Sequence, residues 1–169
     1  MKTTPQNLRR YTAAAMFAAL TCAVTLLIHI PIPLANGYVH LGDAVIMIAA
    51  SLLPPPFAAA SAALGASLAD ILSGSAVWAP ATLIIKAAVA ACFTSKTDKT
   101  VCRRNLAACA AATVITIAGY FAAEWLIYRN TAACVASVPW NIAQSIASCA
   151  AYLLIAPAID KTDARTRLR

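Results

Sequence analysis

Residues 11–42 contain no Asp, Glu, Lys or Arg. A soluble domain has about one charged residue in four, so a run of this length cannot lie on a water-facing surface. Its first part, residues 11–30, is long enough as a helix to cross a hydrocarbon core of about 30 Å. The rest of the chain has the same character. Of 169 residues, 62% are hydrophobic and 11% charged, and the mean hydropathy is +0.75. The sequence predicts an all-α integral membrane protein forming one membrane domain over residues 1–169.

Proline, glycine and charge punctuate the chain into six apolar segments. The first spans residues 10–30. Lys2, Arg9 and Arg10 ahead of it, with Pro33-Leu34-Ala35 behind it, also fit a secretory signal. Its apolar core exceeds the roughly 7 to 15 residues of such signals, so the segment is expected to remain as a helix. The uncharged run 44–69 is broken at Pro54-Pro55-Pro56, because prolines remove backbone donors and clash with the preceding turn. Two short helices are expected there, 43–53 and 57–72. A fourth helix follows Ser73-Gly74-Ser75 at 78–94, and the hydrophilic stretch 95–105 separates it from a fifth at 106–128. A sixth at 139–159, opened by Pro139, leads to a polar tail at 160–169.

The basic residues fix an expected orientation. With six alternating crossings, 11 of the 13 Lys and Arg fall on one side, in the N-terminal segment, the 95–105 loop and the tail. Only Arg129 falls on the other side, and Lys86 lies within a helix. The positive-inside rule then places both termini in the cytoplasm. The net charge of +7 is clustered at segment ends and lacks an aromatic-interleaved basic face, which excludes a nucleic-acid groove. The six cysteines form no Cys-x-x-Cys pair, and His29 and His40 are the only histidines, so no metal site and no cofactor are expected.

With this orientation, the polar residues of five segments gather toward the outer half. His40 and Asp43 open the second segment and Asp70 closes the third. Trp78, Thr82 and Lys86 recur at intervals of four on one face of the fourth. Tyr120, Glu124 and Tyr128 do the same on the fifth, and Asn141, Gln144, Ser145 and Ser148 form a stripe on the sixth. Charges inside a membrane face a cavity or one another, so these residues predict a polar pocket with aromatic walls, fitted to a small planar organic ligand. Simpler roles stand beside this one. Trp78, Trp125, Trp140 and Tyr128 could be interfacial belt aromatics. Asp43 could cap the second helix, Lys86 and Glu124 could pair structurally, Asp70 could bridge to the following turn, and His29 could close the first helix. Ala14/Ala18 and Ala15/Ala19 form small-x-x-x-small rows, which suit close helix packing inside the chain or against a partner.

These pieces together resemble a known family. Tyr38 to Asp43, Leu68 to Gly74, Trp78 to Thr82 with Lys86, Gly119 to Glu124, and Val138 to Gln144 are similar to the substrate-binding S components of energy-coupling factor (ECF) vitamin transporters. The likeness is strongest to the riboflavin, pyridoxine and hydroxymethylpyrimidine group. The resemblance implies a six-helix protein of the bacterial plasma membrane that captures a vitamin from outside, with the loop after the first helix as a lid. It implies as partners a transmembrane coupling protein, docked through Ala14, Ala15, Ala18 and Ala19, and two ATPase subunits. The chain has no phosphate-binding Gly-rich Lys-Ser/Thr motif, so hydrolysis would belong to those partners. The substrate-binding residues expected are His40, Asp43, Asp70, Trp78, Thr82, Lys86, Tyr120, Glu124, Asn141 and Gln144. The acidic Glu124 and Asp43 favour a pyridoxine-like or hydroxymethylpyrimidine ligand over riboflavin.

Two other functions fit less well. A stand-alone secondary transporter would bind at mid-membrane and often carries inverted repeats, whereas here the charges are displaced outward. An enzyme is not expected, because neither histidine accompanies a nucleophile motif such as Gly-x-Ser-x-Gly.

Overall fold

The structure, a computed structural model, describes residues 5–32, 37–162 and 164–168. Its helices are α1 (Pro5–Leu27), α2 (Gly42–Leu52), α3 (Pro55–Leu72), α4 (Ala79–Cys92), α5 (Arg103–Tyr128), α6 (Thr131–Ile159) and the short α7 (Ala164–Leu168). A two-stranded antiparallel hairpin, β1 (Ile30–Pro31) and β2 (Tyr38–Val39), joins α1 to α2. Four helices, α1, α3, α5 and α6, are long and apolar enough to cross a membrane, and α2 and α4 are shorter apolar helices.

Several boundaries differ from the sequence reading for identifiable reasons. Proline at a first helical turn loses no bond, because the amides there have no intrahelical acceptor. Pro5 therefore opens α1 ahead of residue 10, and Pro55 and Pro56 open α3 ahead of residue 57 while Pro54 stays extended. The sixth helix begins at Thr131 rather than at Pro139, which lies inside it. Arg129 takes a left-handed conformation that ends α5, and the Asn130 side chain accepts from the Ala133 amide at 3.2 Å. These two residues make the α5–α6 turn that the proline had seemed to supply. At the start of α5, the Cys102 sulfur accepts from the Asn105 amide at 3.4 Å. The polar tail contains α7, whose Leu168 carbonyl accepts from Arg10 Nε at 3.2 Å. The Pro33 to Ala35 stretch, Lys2 and Arg169 lie outside the described residues.

Helix α2 is the axis of the bundle, and every one of its residues is buried. At about 1.5 Å per residue it is only about 16 Å long, and it packs against α1, α3, α4 and α6. The core gathers around its Ile46 and Met47 and around Leu53 just beyond it, with Val89 of α4, Ala112 of α5 and Tyr152 of α6. Beyond Ser51 lies a buried polar layer. Asn105 donates through Nδ2 to Ser51 Oγ and to the carbonyls of Thr94 and Thr100, and accepts from the Thr94 amide. Arg165 Nη2 donates to the Ser51 carbonyl at 2.8 Å, while Asp160 accepts from the amide and hydroxyl of Thr100. The Thr94 amide and the carbonyls of Ser51, Thr94 and Thr100, near helix ends, thus find side-chain partners in this layer.

Close helix approach depends on glycine at three places, Gly42, Gly65 and Gly119, the last against Ile85 of α4. A methyl group at Gly42 would sit 2.0 Å from Thr25 Oγ1, and one at Gly65 would sit 2.5 Å from the Ala18 carbonyl oxygen. The obstacle at Gly65 is the backbone of α1, which cannot swing aside as a side chain would. Gly65→Ala is therefore expected to lower stability by about 1 to 3 kcal/mol through overpacking, read as a lower thermal midpoint in detergent. An unchanged midpoint would mean that α1 and α3 separate freely.

Candidate ligand pocket

The pocket lies at the end of the bundle opposite the Asn105 layer, and its deepest level is ionic. Lys86 of α4 is fully buried, and its Nζ stands 2.7 and 2.9 Å from the two oxygens of Asp43, in the first turn of α2. Gln144 of α6 ties this pair to the loop above: its Nε2 donates to Asp43 Oδ2 at 3.2 Å, and its Oε1 accepts from the His40 amide at 3.0 Å. Lys86 Nζ also lies 5.1 Å from the centre of the Tyr120 ring, and the Tyr120 hydroxyl is 3.1 Å from Thr82 Oγ1. Asp43, Thr82 and Lys86 thus form the floor of the site and hold its walls in register.

Above the floor opens a cavity of about 460 Å³, counting its mouth. Seven of the ten expected binding residues line it: His40, Asp70, Trp78, Tyr120, Glu124, Asn141 and Gln144. Trp78 is buried and packs edge-on against Tyr120 with ring centroids 6.0 Å apart. Trp125 and Trp140 are each about 40% exposed, which fits the belt role and separates them from Trp78. Glu124 of α5 is 2% exposed; its Oε2 accepts from the Ser137 hydroxyl at 2.7 Å, and its Oε1 is buried with no hydrogen-bond partner.

The hairpin forms the remaining wall. Tyr38 of β2 donates its hydroxyl to Asp70 Oδ1 and stacks on His29, centroids 3.9 Å apart. Burial, aided by Lys86 and His29 and opposed by the Asp43 carboxylate, holds the His40 imidazole down at about 4. It is neutral at neutral pH, and its Nδ1 accepts from the Gly42 amide at 3.1 Å. Burial, reinforced by the Asp70 carboxylate, pushes the Tyr38 phenol up, so it remains a donor. Residues 33–36 of the expected lid lie outside the described residues.

Three expectations about single residues are corrected. Lys86 pairs with Asp43, not Glu124, because the first turn of α2 abuts α4 while Glu124 points to α6. Asp43 is not the cap of α2: Leu41 occupies that position, with no side-chain cap bond. The first helix ends at Leu27, so His29 lies beyond it, against Tyr38. Ile32, Gly37, Tyr38 and Ser137 also line the cavity and were not expected. Tyr38 is signalled by its place two residues before His40 in an uncharged loop; Ser137 carries no signal when Pro139 is read as the start of the sixth helix.

The small-residue rows of α1 divide between two surroundings. Ala14 and Ala18 are partly buried, with the Ala18 backbone against Gly65 of α3, whereas Ala15 and Ala19 are exposed. A groove lined by Tyr11, Ala14, Ala15, Ala18, Phe57 and Leu64 runs between the two helices.

Comparison with known proteins agrees with this architecture. A solved structure described as the S component of a bacterial ECF transporter superposes with a TM-score of 0.69 at 17% identity, over 91% of this chain and 96% of that one. This likeness establishes the fold. An uncharacterized protein in a gap 3'region of Pyrococcus woesei is 42% identical over 62 residues, covering 37% of this chain and 41% of that relative's length. The family model for the ECF-type riboflavin transporter, S component, matches residues 6–161, nearly the whole chain. The family is that of a transporter component and not of an enzyme, and the chain belongs to it.

Proposed function

We propose that this chain is the vitamin-capturing subunit of an ECF-type importer in a bacterial plasma membrane. It forms one membrane domain of six spans with both termini in the cytoplasm, α2 and α4 completing the four longer helices. The observation that carries this reading is the cavity itself, a partly open pocket lined by aromatic and acidic side chains at the end of the bundle away from the 95–105 loop. In this orientation the cavity faces outward, with the β1–β2 hairpin over it. His40, Asp70, Trp78, Tyr120, Glu124, Asn141 and Gln144 contact the ligand, while Asp43, Thr82 and Lys86 support them from below. The ligand is a small planar vitamin or precursor, pyridoxine-like or a hydroxymethylpyrimidine ahead of riboflavin. Release inward requires a transmembrane coupling protein docked on α1 through Ala14, Ala15, Ala18 and Ala19, together with two ATPase subunits.

The alternative, a stand-alone secondary transporter, makes a different prediction in cells. Cells expressing only this chain are expected to retain labelled vitamin at no more than about one molecule per chain. Accumulation beyond that should appear only when the coupling protein and ATPases are co-expressed, and should stop when ATP is depleted. ATP-independent accumulation by the chain alone would establish the secondary transporter instead.

A further inference from the structure

The charges around the cavity do not balance, and the imbalance defines what the ligand must offer. Lys86 has both Asp43 oxygens within 2.9 Å, is fully buried and does not line the cavity. His40 enters as a neutral ring, since its Nδ1 accepts a backbone amide. Among the described residues, no lysine or arginine lines the cavity. Two acids do. Asp70 has one oxygen engaged by Tyr38 and its other, Oδ2, without a hydrogen bond, although the Thr82 hydroxyl acts on the same carboxylate. Glu124 has Oε2 engaged by Ser137 and Oε1 buried and unpartnered. A carboxylate only accepts, and a buried acceptor left without a donor is costly.

Resting on the reading of this cavity as a vitamin pocket, we propose that Glu124 is its specificity-determining residue. Its free Oε1 takes an N–H of an amino-substituted nitrogen heteroaromatic, and the same wall rejects phosphorylated ligands. The ring of such a ligand stands beside Trp78 and Tyr120, and its amino edge turns to α5. A phosphate ester would bring two negative charges against Asp70 and Glu124 with no cation to receive them, since Lys86 is already engaged. Ser137 is a positioning residue, holding the Glu124 carboxyl through Oε2 and leaving Oε1 as its buried, unpartnered acceptor.

The test compares three probes by calorimetry on the purified full chain: 4-amino-5-hydroxymethyl-2-methylpyrimidine, the same compound with hydrogen in place of the amino group, and its phosphate monoester. Wild-type protein is expected to bind the amino compound about 10- to 100-fold more tightly than the compound lacking it, the range of a hydrogen bond to a charged group. The phosphate ester is expected not to bind. Glu124→Met, close in size and without an acceptor, should bring the first two probes to equal affinity. Should that variant fail to fold, Glu124→Gln, which keeps one acceptor and loses the charge, should cut the preference by about tenfold. Equal binding of the two neutral probes by wild type, unchanged preference in the variant, or tight binding of the ester would overturn the assignment. Tight binding of riboflavin with none of the pyrimidines would also overturn it while leaving vitamin capture intact. No binding of any vitamin would remove both.

Discussion

Replacing Lys86 with methionine is expected to destabilise the protein by about 3 to 5 kcal/mol, the range observed when one member of a buried ion pair is removed. The reason is the partner left behind. Asp43 is 2% exposed at the start of a wholly buried helix, and without Lys86 its charge would keep only the Gln144 amide. The thermal midpoint in detergent should fall by on the order of 10 °C. The double variant Lys86→Met with Asp43→Leu removes both charges and should recover most of the loss, because a buried pair contributes little net stability over apolar residues of similar volume. Equal midpoints for wild type and the single variant would mean that water or a neighbour supports Asp43 by itself. A double variant as unstable as the single one would mean that the pair stabilises through the Gln144 and His40 contacts built on it.

The second large effect concerns α1 and transport instead of folding. Ala15 projects from the exposed side of α1, whereas the Ala18 backbone is packed against Gly65. Ala15→Trp is therefore expected to leave ligand affinity within about twofold while uptake by the assembled transporter falls more than about tenfold, since a bulky side chain prevents close helix approach. Ala18→Leu should impair stability as well, because the added volume meets α3. Normal uptake by Ala15→Trp would remove this side of α1 as the docking face.

How far the sequence could be read depended on which physical signal each feature left. The uncharged runs announced apolar helices directly, and spacing by four placed Trp78, Thr82 and Lys86 on one face of a helix with no knowledge of its neighbours. Periodicity cannot say which helix faces which: the sequence offers Glu124 as the partner of Lys86, whereas α2 lies against α4 and supplies Asp43 instead. The sixth helix was mislocated for a different reason. Proline reads as a start signal, but the left-handed Arg129 and the cap at Asn130 begin the helix earlier, and Ser137 enters the pocket with those added turns. Gly65 makes a small-x-x-x-small row with Ala69, a weak signal for close packing in an alanine-rich stretch, and only the structure shows that the close neighbour is the Ala18 backbone of α1.

The central claim is that this chain by itself captures a vitamin, and calorimetry on the purified protein in detergent tests it most directly. Titrations would use pyridoxine, pyridoxal, 4-amino-5-hydroxymethyl-2-methylpyrimidine, riboflavin, thiamin and niacin, with neither ATP nor other subunits present. The account predicts tight one-to-one binding of one compound, lost when Trp78 and Glu124 are both replaced by alanine in a variant that still melts cooperatively. Binding that persists in that variant would place the ligand elsewhere on the protein, and absence of binding across the whole set would contradict capture by this chain.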